Sequence, residues 1–443
     1  MIATLTNKIC ITELTPAESF RIKAALTFAN PQFAEARRFN RSTWNIDRNL
    51  ELFEQTDSGL IVPRGVTLDS LGVNTLIDNR HSHPVEFKTT IKPRPYQDRV
   101  IRLAQAHDNG VIVAPTGSGK TTMGIELASR LGERCLILVK SKDLAKQWQA
   151  AIQQFTGLDC GLIGGGKHTE GEQFTVGLVQ SLVKQDTALD YGMVIVDECH
   201  NIPAAQAYKV INRQAAKYRY GLSATPQRRD NLEFIIYAAL GNIIAEVEAR
   251  EVEGSVLPVS VTTRRYHFQG NPGSWSEFIT MLAADQERNA MLIGSAIKSS
   301  RSVGTAVLTS TIAHAETLSS LAKEYGVNAL LLHGQLPAKQ RAERMAAAPD
   351  TPLIIGTLSL LSEGIDWPHV GAVIFAAPVS AEVDRDNPAA TRLLQSIGRG
   401  RRPFPGKLKT VVLDIVDNCP FGKAAYRKRA EIYRLNDFSV RAI

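Results

Sequence analysis

From Ala114 to Thr122 the chain reads Ala-Pro-Thr-Gly-Ser-Gly-Lys-Thr-Thr, a glycine-containing loop that ends on a lysine and two hydroxyls. These residue types at this spacing suit a polyphosphate. Loop and helix-start N–H groups converge on the phosphate oxygens, a lysine adds mobile positive charge, and a hydroxyl can ligate a divalent cation. On that reading Lys120 reaches the β- and γ-phosphates of a nucleotide and Thr121 joins the shell of Mg²⁺, while Pro115, Thr116, Gly117, Ser118, Gly119 and Thr122 complete the cradle. The leading glycine usual in such loops is Ala114 here. Further along, Asp197-Glu198-Cys199-His200 follows an apolar run. One carboxylate holding Mg²⁺ beside another that polarises water is the minimal equipment for hydrolysing a phosphoanhydride. Asp197 is therefore assigned to the Mg²⁺ shell and Glu198 to activation of the attacking water.

Both groups need a sheet to hold them. The run Val111 to Val113 stops at Ala114 and Lys120-Thr121 opens a helical pattern, so the loop joins a strand to a helix. Further apolar runs recur at Leu136 to Val139, Val176 to Val179, Met193 to Val196 and Tyr220 to Leu222, mostly separated by helical stretches. A second series follows at Thr305 to Leu308, Ala329 to Leu332, Leu353 to Ile355, Ala372 to Ala376 and Val411 to Ile415. Continuous apolar strands alternating with helices predict parallel sheets covered on both faces. The alternation from Val259 to Phe268 and the turn-rich stretch from Gln269 to Ser274 separate the two series, giving α/β lobes over residues 89–255 and 256–443. Residues 1–88 carry no readable motif and suggest a small α+β domain. His81 and His83 could suggest a metal, but without cysteine or acidic partners in a ligand pattern around them they read as a surface loop. Trp148 reads as core, and Gly164-Gly165-Gly166 as a flexible loop rather than a second phosphate site.

Length and charge narrow the class. At 443 residues the chain is too long for one ordinary core. With 44% hydrophobic and 21% charged residues it has a soluble globular composition. No apolar run approaches the ~18 residues of a membrane span, and no signal pattern opens the chain, so a cytoplasmic protein is expected. Five scattered cysteines without a C-x-x-C pair fit a reducing compartment and argue against disulfides or structural zinc. The net charge of +7 is uneven: residues 399–443 hold eleven Lys/Arg against four Asp/Glu, which leaves 40 against 40 before them. A basic C-terminal stretch suggests a polyanion as partner, with a solvated helix face as the alternative.

Taken in order, these groups resemble the motif series of the superfamily 2 helicases and translocases, from about Pro93 to Asp417. Arg94-Pro95-Tyr96-Gln97 resembles the adenine-recognition segment, with Gln97 reading the base. Lys140-Ser141 with Gln147-Trp148, and Val179-Gln180-Ser181-Leu182, are similar to the family's first nucleic-acid motifs. Asp197-Glu198-Cys199-His200 resembles the DExH box and Ser223-Ala224-Thr225 motif III. Gly356-Thr357 with Glu363-Gly364-Ile365-Asp366 resembles motif V, and Gln395-Ser396-Ile397-Gly398-Arg399-Gly400-Arg401-Arg402 motif VI.

The resemblance implies two tandem RecA-like P-loop lobes, with ATP and Mg²⁺ as cofactors. It implies that Gln395, Gly364 and Asp366 serve the nucleotide side and that Arg399 and Arg402 act as in-chain arginine fingers, a device worth roughly 10³ to 10⁵ in rate. His200, Ser223 and Thr225 would couple nucleotide state to movement. Arg401 is left unassigned, as an outward-facing charge. Ser141, Gln180, Ser181 and Thr357 are the expected phosphate-backbone contacts, with a helix cap or turn hydroxyl as the alternative for each. Cys199-His200 in place of Ala-Asp argues against the DEAD-box branch. The pattern is closest to DNA-directed members: phage branch-migration helicases (UvsW-like), XPB-like repair helicases and restriction-enzyme motor subunits. The resemblance thus implies a DNA helicase acting on branched or forked DNA, whose N-terminal domain grips duplex DNA by analogy. An RNA remodeller and a double-strand translocase within a larger machine are the alternatives.

Overall fold

Two parallel sheets dominate the architecture. The computed structural model describes the chain apart from residues 68–71, 74, 116, 186–187, 203, 225–231, 253–256, 359–366 and 380–391. The side chains of residues 201, 204, 249, 250, 338, 392, 395 and 399 are likewise not described. Thr116, Thr225, Gly364 and Asp366 therefore lie outside the described residues, as do the side chains of Gln395 and Arg399. The chain divides into two compact units, with the change-over in sequence between Glu248 and Ala249.

The first unit opens with β1 (Ile2–Leu5), β2 (Ile9–Thr12), α1 (Pro16–Ala25), β3 (Thr27–Ala29), α2 (Pro31–Arg38), β4 (Asn49–Glu51), β5 (Glu54–Thr56), β6 (Gly59–Val62) and β7 (Thr75–Asp78). Five of these strands form a sheet in the order β5-β6-β2-β1-β7, in which β7 joins parallel to β1 and the other pairs are antiparallel. The large sheet of this unit follows, the motor sheet that the resemblance implies. It contains β8 (Asn109–Val113), β9 (Cys135–Val139), β10 (Cys160–Gly164), β11 (Lys167–Thr169), β12 (Phe174–Leu178), β13 (Met193–Val196), β14 (Tyr218–Ser223) and β15 (Ile243–Glu246). Their order is β11-β10-β12-β9-β13-β14-β8-β15, parallel throughout except for β11. Every residue of β9, β12 and β13 is buried, the pattern of strands covered on both faces.

Helices cover this sheet: α3 (Pro95–Gln105), α4 (Lys120–Leu131), α5 (Lys142–Thr156), α6 (Val179–Leu182), α7 (Ala204–Ile211) and α8 (Glu233–Leu240). Helix α5 shows why the sequence folds as it does. Ser141 caps it by accepting from Leu144 N, Ala145, Trp148 and Ile152 fall on one buried stripe, and Gly157 ends it in the left-handed region (φ 71). The triple glycine is the turn of the β10–β11 hairpin, with Gly164 paired to Lys167, and not a free loop.

The N-terminal sheet shares a core with the motor sheet. Ala3, Leu5, Ile9, Ile11, Ile22, Leu26 and Leu60 lie in the same hydrophobic cluster as Ala207, Val210, Ile211, Ile235 and Ala239 of α7 and α8. Phe28 stacks on Phe234 at 4.3 Å. Asn7 Nδ2 donates to Asn212 O (2.7 Å) and Gly65 N to Ala238 O (2.7 Å). Two buried arginines complete the joint. Arg64 donates to Thr6 O, Ala216 O and Lys217 O, and Arg219 to Asn7 O and Gln214 O.

The second unit carries β16 (Val259–Tyr266), α9 (Trp275–Ala284), α10 (Gln286–Ser300), β17 (Gly304–Thr309), α11 (Ile312–Glu324), β18 (Leu330–Leu332) and α12 (Ala338–Ala347). It continues with β19 (Leu353–Thr357), β20 (Val370–Phe375), α13 (Arg392–Gly400), β21 (Thr410–Asp417), α14 (Pro420–Leu435) and β22 (Ser439–Ala442). Its seven strands run parallel in the order β18-β19-β17-β20-β21-β16-β22. Two buried ion pairs anchor helices to β21: Arg288 of α10 grips Asp417 (2.7 and 3.1 Å) and Arg429 of α14 grips Asp414 (2.9 and 2.8 Å).

Part of the basic C-terminal stretch is thus structural. Arg429 is buried, Lys407 Nζ donates to the carbonyls of Pro368, Val370 and Arg402 (2.8, 2.8 and 2.9 Å), and Arg401 Nε donates to Leu257 O (3.0 Å). Arg401 also lies over the Phe438 ring, which corrects the expectation of an outward-facing charge. Lys409, Lys423, Arg427, Lys428, Arg434 and Arg441 remain exposed. No helix among the described residues is long and apolar enough to cross a membrane.

Candidate functional site

The candidate residues of the first unit collect at the carboxyl edge of its parallel sheet, where ligands bind in open α/β folds. The order of strands divides that edge. Neighbours β8, β14 and β13 lead into the glycine loop, Ser223-Ala224 and Asp197-Glu198, while β9 and β12 lead into Ser141 and Gln180-Ser181.

The loop is built by its glycines. Gly119 caps α4 with φ 82 and ψ 40, and a Cβ there would lie 2.5 Å from Gln97 Nε2 and 2.7 Å from Thr122 Oγ1. Gln97 is thereby held against the loop, its Oε1 accepting from Arg94 N (2.9 Å) at the start of α3. Thr122 Oγ1 donates to Gly119 O (2.7 Å) and Ala114 N to Ser223 O (2.8 Å). Lys120 Nζ lies 3.2 Å from Ala114 O and 3.2 Å from Glu198 Oε1, so the lysine already bridges the glycine loop and the carboxylate box.

The carboxylate pair is strained and electrostatically split. Glu198 sits at φ 46 and ψ 49, in the left-handed region that non-glycine residues rarely adopt and that concentrates at functional sites. Burial, and then the neighbouring Glu198 charge, push the Asp197 carboxyl up to about 6. For Glu198 the cost of burial is outweighed by Lys120 and His200, which hold it below the usual carboxylate range. Asp197 Oδ2 accepts from the Trp148 indole N–H at 2.8 Å. The sequence placed Trp148 in the core; it is buried there, yet it also orients the expected Mg²⁺ ligand. Only the Gln-Trp spacing near the first nucleic-acid motif hinted at it.

His200 Nδ1 is 2.8 Å from Ser223 Oγ and 3.5 Å from Glu198 Oε2. A continuous polar chain therefore runs Ala114–Lys120–Glu198–His200–Ser223. Glu198 Oε2 is buried and faces His200. Thr121 and Asp197 offer hard oxygen donors, and a carboxyl driven toward neutrality by burial beside a second acid is a place where a divalent cation fits.

Three of the expected nucleic-acid contacts lie along the other half of the edge, and the fourth belongs to the second unit. Ser141 Oγ is engaged as the cap of α5, Gln180 is exposed and Ser181 half-buried on α6. Thr357 ends β19 in the second unit and is buried. Arg402 is half-buried there, with its guanidinium pKa lowered by burial.

With this geometry in hand, comparison with known proteins is informative. Residues 90–228 match the family described as type III restriction enzyme, res subunit, and residues 288–403 match the helicase conserved C-terminal domain. The chain is 24% identical to helicase D10 of Escherichia phage T5 over 381 residues, covering 83% of this chain and 81% of that one. It is 31% identical over 174 residues to the DNA 3'-5' translocase XPB2 of Sulfurisphaera tokodaii, a match that spans 39% of each chain. Among solved structures, an HsdR subunit fragment of a type I restriction enzyme from Vibrio vulnificus superposes with a TM-score of 0.59 at 20% identity, covering 79% of this chain and 68% of that one. Dbp5 of S. cerevisiae, bound to RNA and ADP BeF3, superposes with a TM-score of 0.58 at 18% identity, covering 80% and 90%. These superpositions identify the fold as two RecA-like lobes.

Proposed function

Because the chain belongs to the superfamily 2 helicases, and is therefore a nucleic-acid-dependent ATPase, we propose that it is a DNA motor that remodels branched or forked DNA. The observation that carries this reading is the fusion of the N-terminal sheet to the motor sheet through one core. A second grip fixed to a motor lobe moves with it, so that DNA held at both places is strained when the lobe steps.

The N-terminal part offers such a grip. Arg37, Arg38, Arg41 and Arg48 are exposed, Phe39 lies 5.8 Å from Arg38 and 5.4 Å from Arg41, and Trp44 is 93% exposed. Cations beside aromatic faces suit a nucleic acid, pairing phosphates and stacking on bases. The names of the relatives favour DNA, since XPB2 is a DNA translocase.

At the nucleotide, Lys120 would leave Glu198 for the β- and γ-phosphates, which frees the Glu198 carboxylate to orient the attacking water. Bound Mg²⁺, held by Thr121 and Asp197, would neutralise charge on the same phosphates. His200, already bonded to Ser223, would carry the change at Glu198 to the end of β14. For Arg402 the resemblance implies a contact to the γ-phosphoryl group, and Arg402→Ala should lose hydrolysis while keeping much of the nucleotide affinity.

The test is ATP hydrolysis measured in parallel without nucleic acid and with single-stranded DNA, duplex DNA, a four-way junction and RNA, at one salt concentration. Junction DNA should stimulate most, and RNA exceeding every DNA would overturn the DNA reading. Lys120→Ala and Glu198→Gln should abolish hydrolysis, the latter with ATP still bound. Undiminished turnover in Glu198→Gln would remove that residue from its role.

A further inference from the structure

Far from the nucleotide, three metal-ligating side chains converge on the segment that leads from the N-terminal sheet into the motor sheet. His81 and His83 stand two residues apart in extended chain, a spacing that places both rings on one side. The acidic partner arrives from the loop before β13, far along the sequence. His81 Nδ1 is 2.6 Å and His83 Nε2 2.8 Å from the same oxygen, Asp190 Oδ1. The three ligand atoms lie within 4.8 Å of one another. His83 Nε2 is buried and, despite its short distance to Asp190, has no hydrogen bond of regular geometry.

The backbone holds both histidines in place. His81 N donates to Ala215 O (2.8 Å) and Lys217 N to His81 O (2.7 Å). His83 N donates to Glu133 Oε2 (2.6 Å), and Arg134 N to His83 O (2.9 Å). Each ring therefore springs from a main chain fixed to a different loop of the motor sheet, the support that a preorganised site requires. On the acidic side, Arg134 Nη1 donates to Asp190 O (3.2 Å), which fixes the loop but leaves the carboxylate to the histidines.

We propose that His81, His83 and Asp190 form a binding site for a borderline divalent cation, with Zn²⁺ as the fitting ion. Two imidazole nitrogens and one carboxylate oxygen, with the fourth position left to water, make the tetrahedral set that Zn²⁺ favours, and the imidazoles disfavour Mg²⁺. Donors about 2.0–2.1 Å from a tetrahedral ion stand about 3.3 Å apart. Each histidine need only draw back from Asp190 by about 0.5–0.7 Å from its proton-sharing distance, and His81 and Asp190 are more than half exposed and able to turn. An ion there would clamp the entry segment to the loop that precedes β13, tightening the joint between the N-terminal and motor sheets.

The experiment is a Zn²⁺ titration of the full chain against a chromophoric chelator, with Mg²⁺ in excess to occupy the oxygen donors of the nucleotide site. Wild type should bind one Zn²⁺, should show the visible bands of four-coordinate Co²⁺ when that ion is substituted, and should unfold at a higher temperature with Zn²⁺ than without. Asp190→Asn and the paired change His81→Asn with His83→Asn should weaken binding by ~10-fold or more, the loss that even an outer-shell substitution brings at a zinc site. Should the paired variant fail to fold, Asp190→Asn, altered at an exposed side chain, decides alone. Equal Zn²⁺ affinity in wild type and Asp190→Asn, or no stoichiometric binding by wild type, overturns the proposal.

Discussion

Both motor sheets place aspartates at or near the ends of their strands, and the two treat them in opposite ways. In the second unit Asp414 and Asp417 are neutralised by buried guanidinium groups, each gripped by two hydrogen bonds, with Tyr433 adding a third to Asp414. In the first unit Asp197 receives a neutral indole N–H. Among the described residues that carboxyl has no guanidinium partner, and beside Glu198 it rises to about 6. Arginine is treated in the reverse sense. Arg64 and Arg219 of the first unit bond main-chain carbonyls, with no carboxylate within ion-pair distance among the described residues. The lesson concerns where charge is settled. The second unit cancels its buried charges internally and gains a rigid frame. The first leaves acids open for a cation and uses its arginines to join two sheets.

That contrast can be broken by measurement. Asp414→Ala strands the buried Arg429 and should cost about 3–5 kcal/mol in denaturant unfolding of the full chain; a cost below about 1 kcal/mol would deny the pair its structural role. Trp148→Phe removes the N–H and, because the side chain is fully buried, also leaves a small cavity. It should raise the Mg²⁺ concentration for half-maximal ATP hydrolysis by about 10–100-fold on top of the stability lost to the cavity, whereas lost stability at unchanged Mg²⁺ dependence would return Trp148 to the core alone.

Arg219→Met should cost about 1–3 kcal/mol through the carbonyls it orphans and should speed proteolysis in the segment between residues 79 and 94. A loss as large as that of Asp414→Ala would erase the distinction between the two uses of arginine. The smallest effect concerns acid. Burial, and then Arg288, lower His314 to about 4 in the second unit. The unfolded chain takes up this proton below about 6.5 and the folded chain only near 4. Stability is therefore lost as pH falls through that window, by at most about 1.4 kcal/mol over its first unit. His314→Gln should flatten the dependence, and an unchanged slope would assign the acid response to other groups.

The parts of the site carried by local spacing were legible in the sequence. The glycine loop, the Asp-Glu pair and the strands before them are contiguous, and Met193–Val196 was delimited by its apolar run alone. Pairings across the fold were not. Trp148 meets Asp197 because α5 lies against the sheet, and Asp190 meets His81 from 109 residues away. Composition likewise counted Arg429 and Lys407 toward a basic surface, whereas burial beside Asp414 and beside three carbonyls makes them internal struts. The N-terminal sheet was hardest to read, since its apolar faces are completed by α7 and α8, more than a hundred residues downstream.

The shared core also sets how this protein can be divided. Starting the chain at residue 89 would uncover Ala207, Val210, Ile211 and Phe234 together and leave an oily face on the ATPase lobe. The smallest soluble engine in this sequence should therefore begin at its first strand, and the N-terminal sheet serves as a wall of the motor.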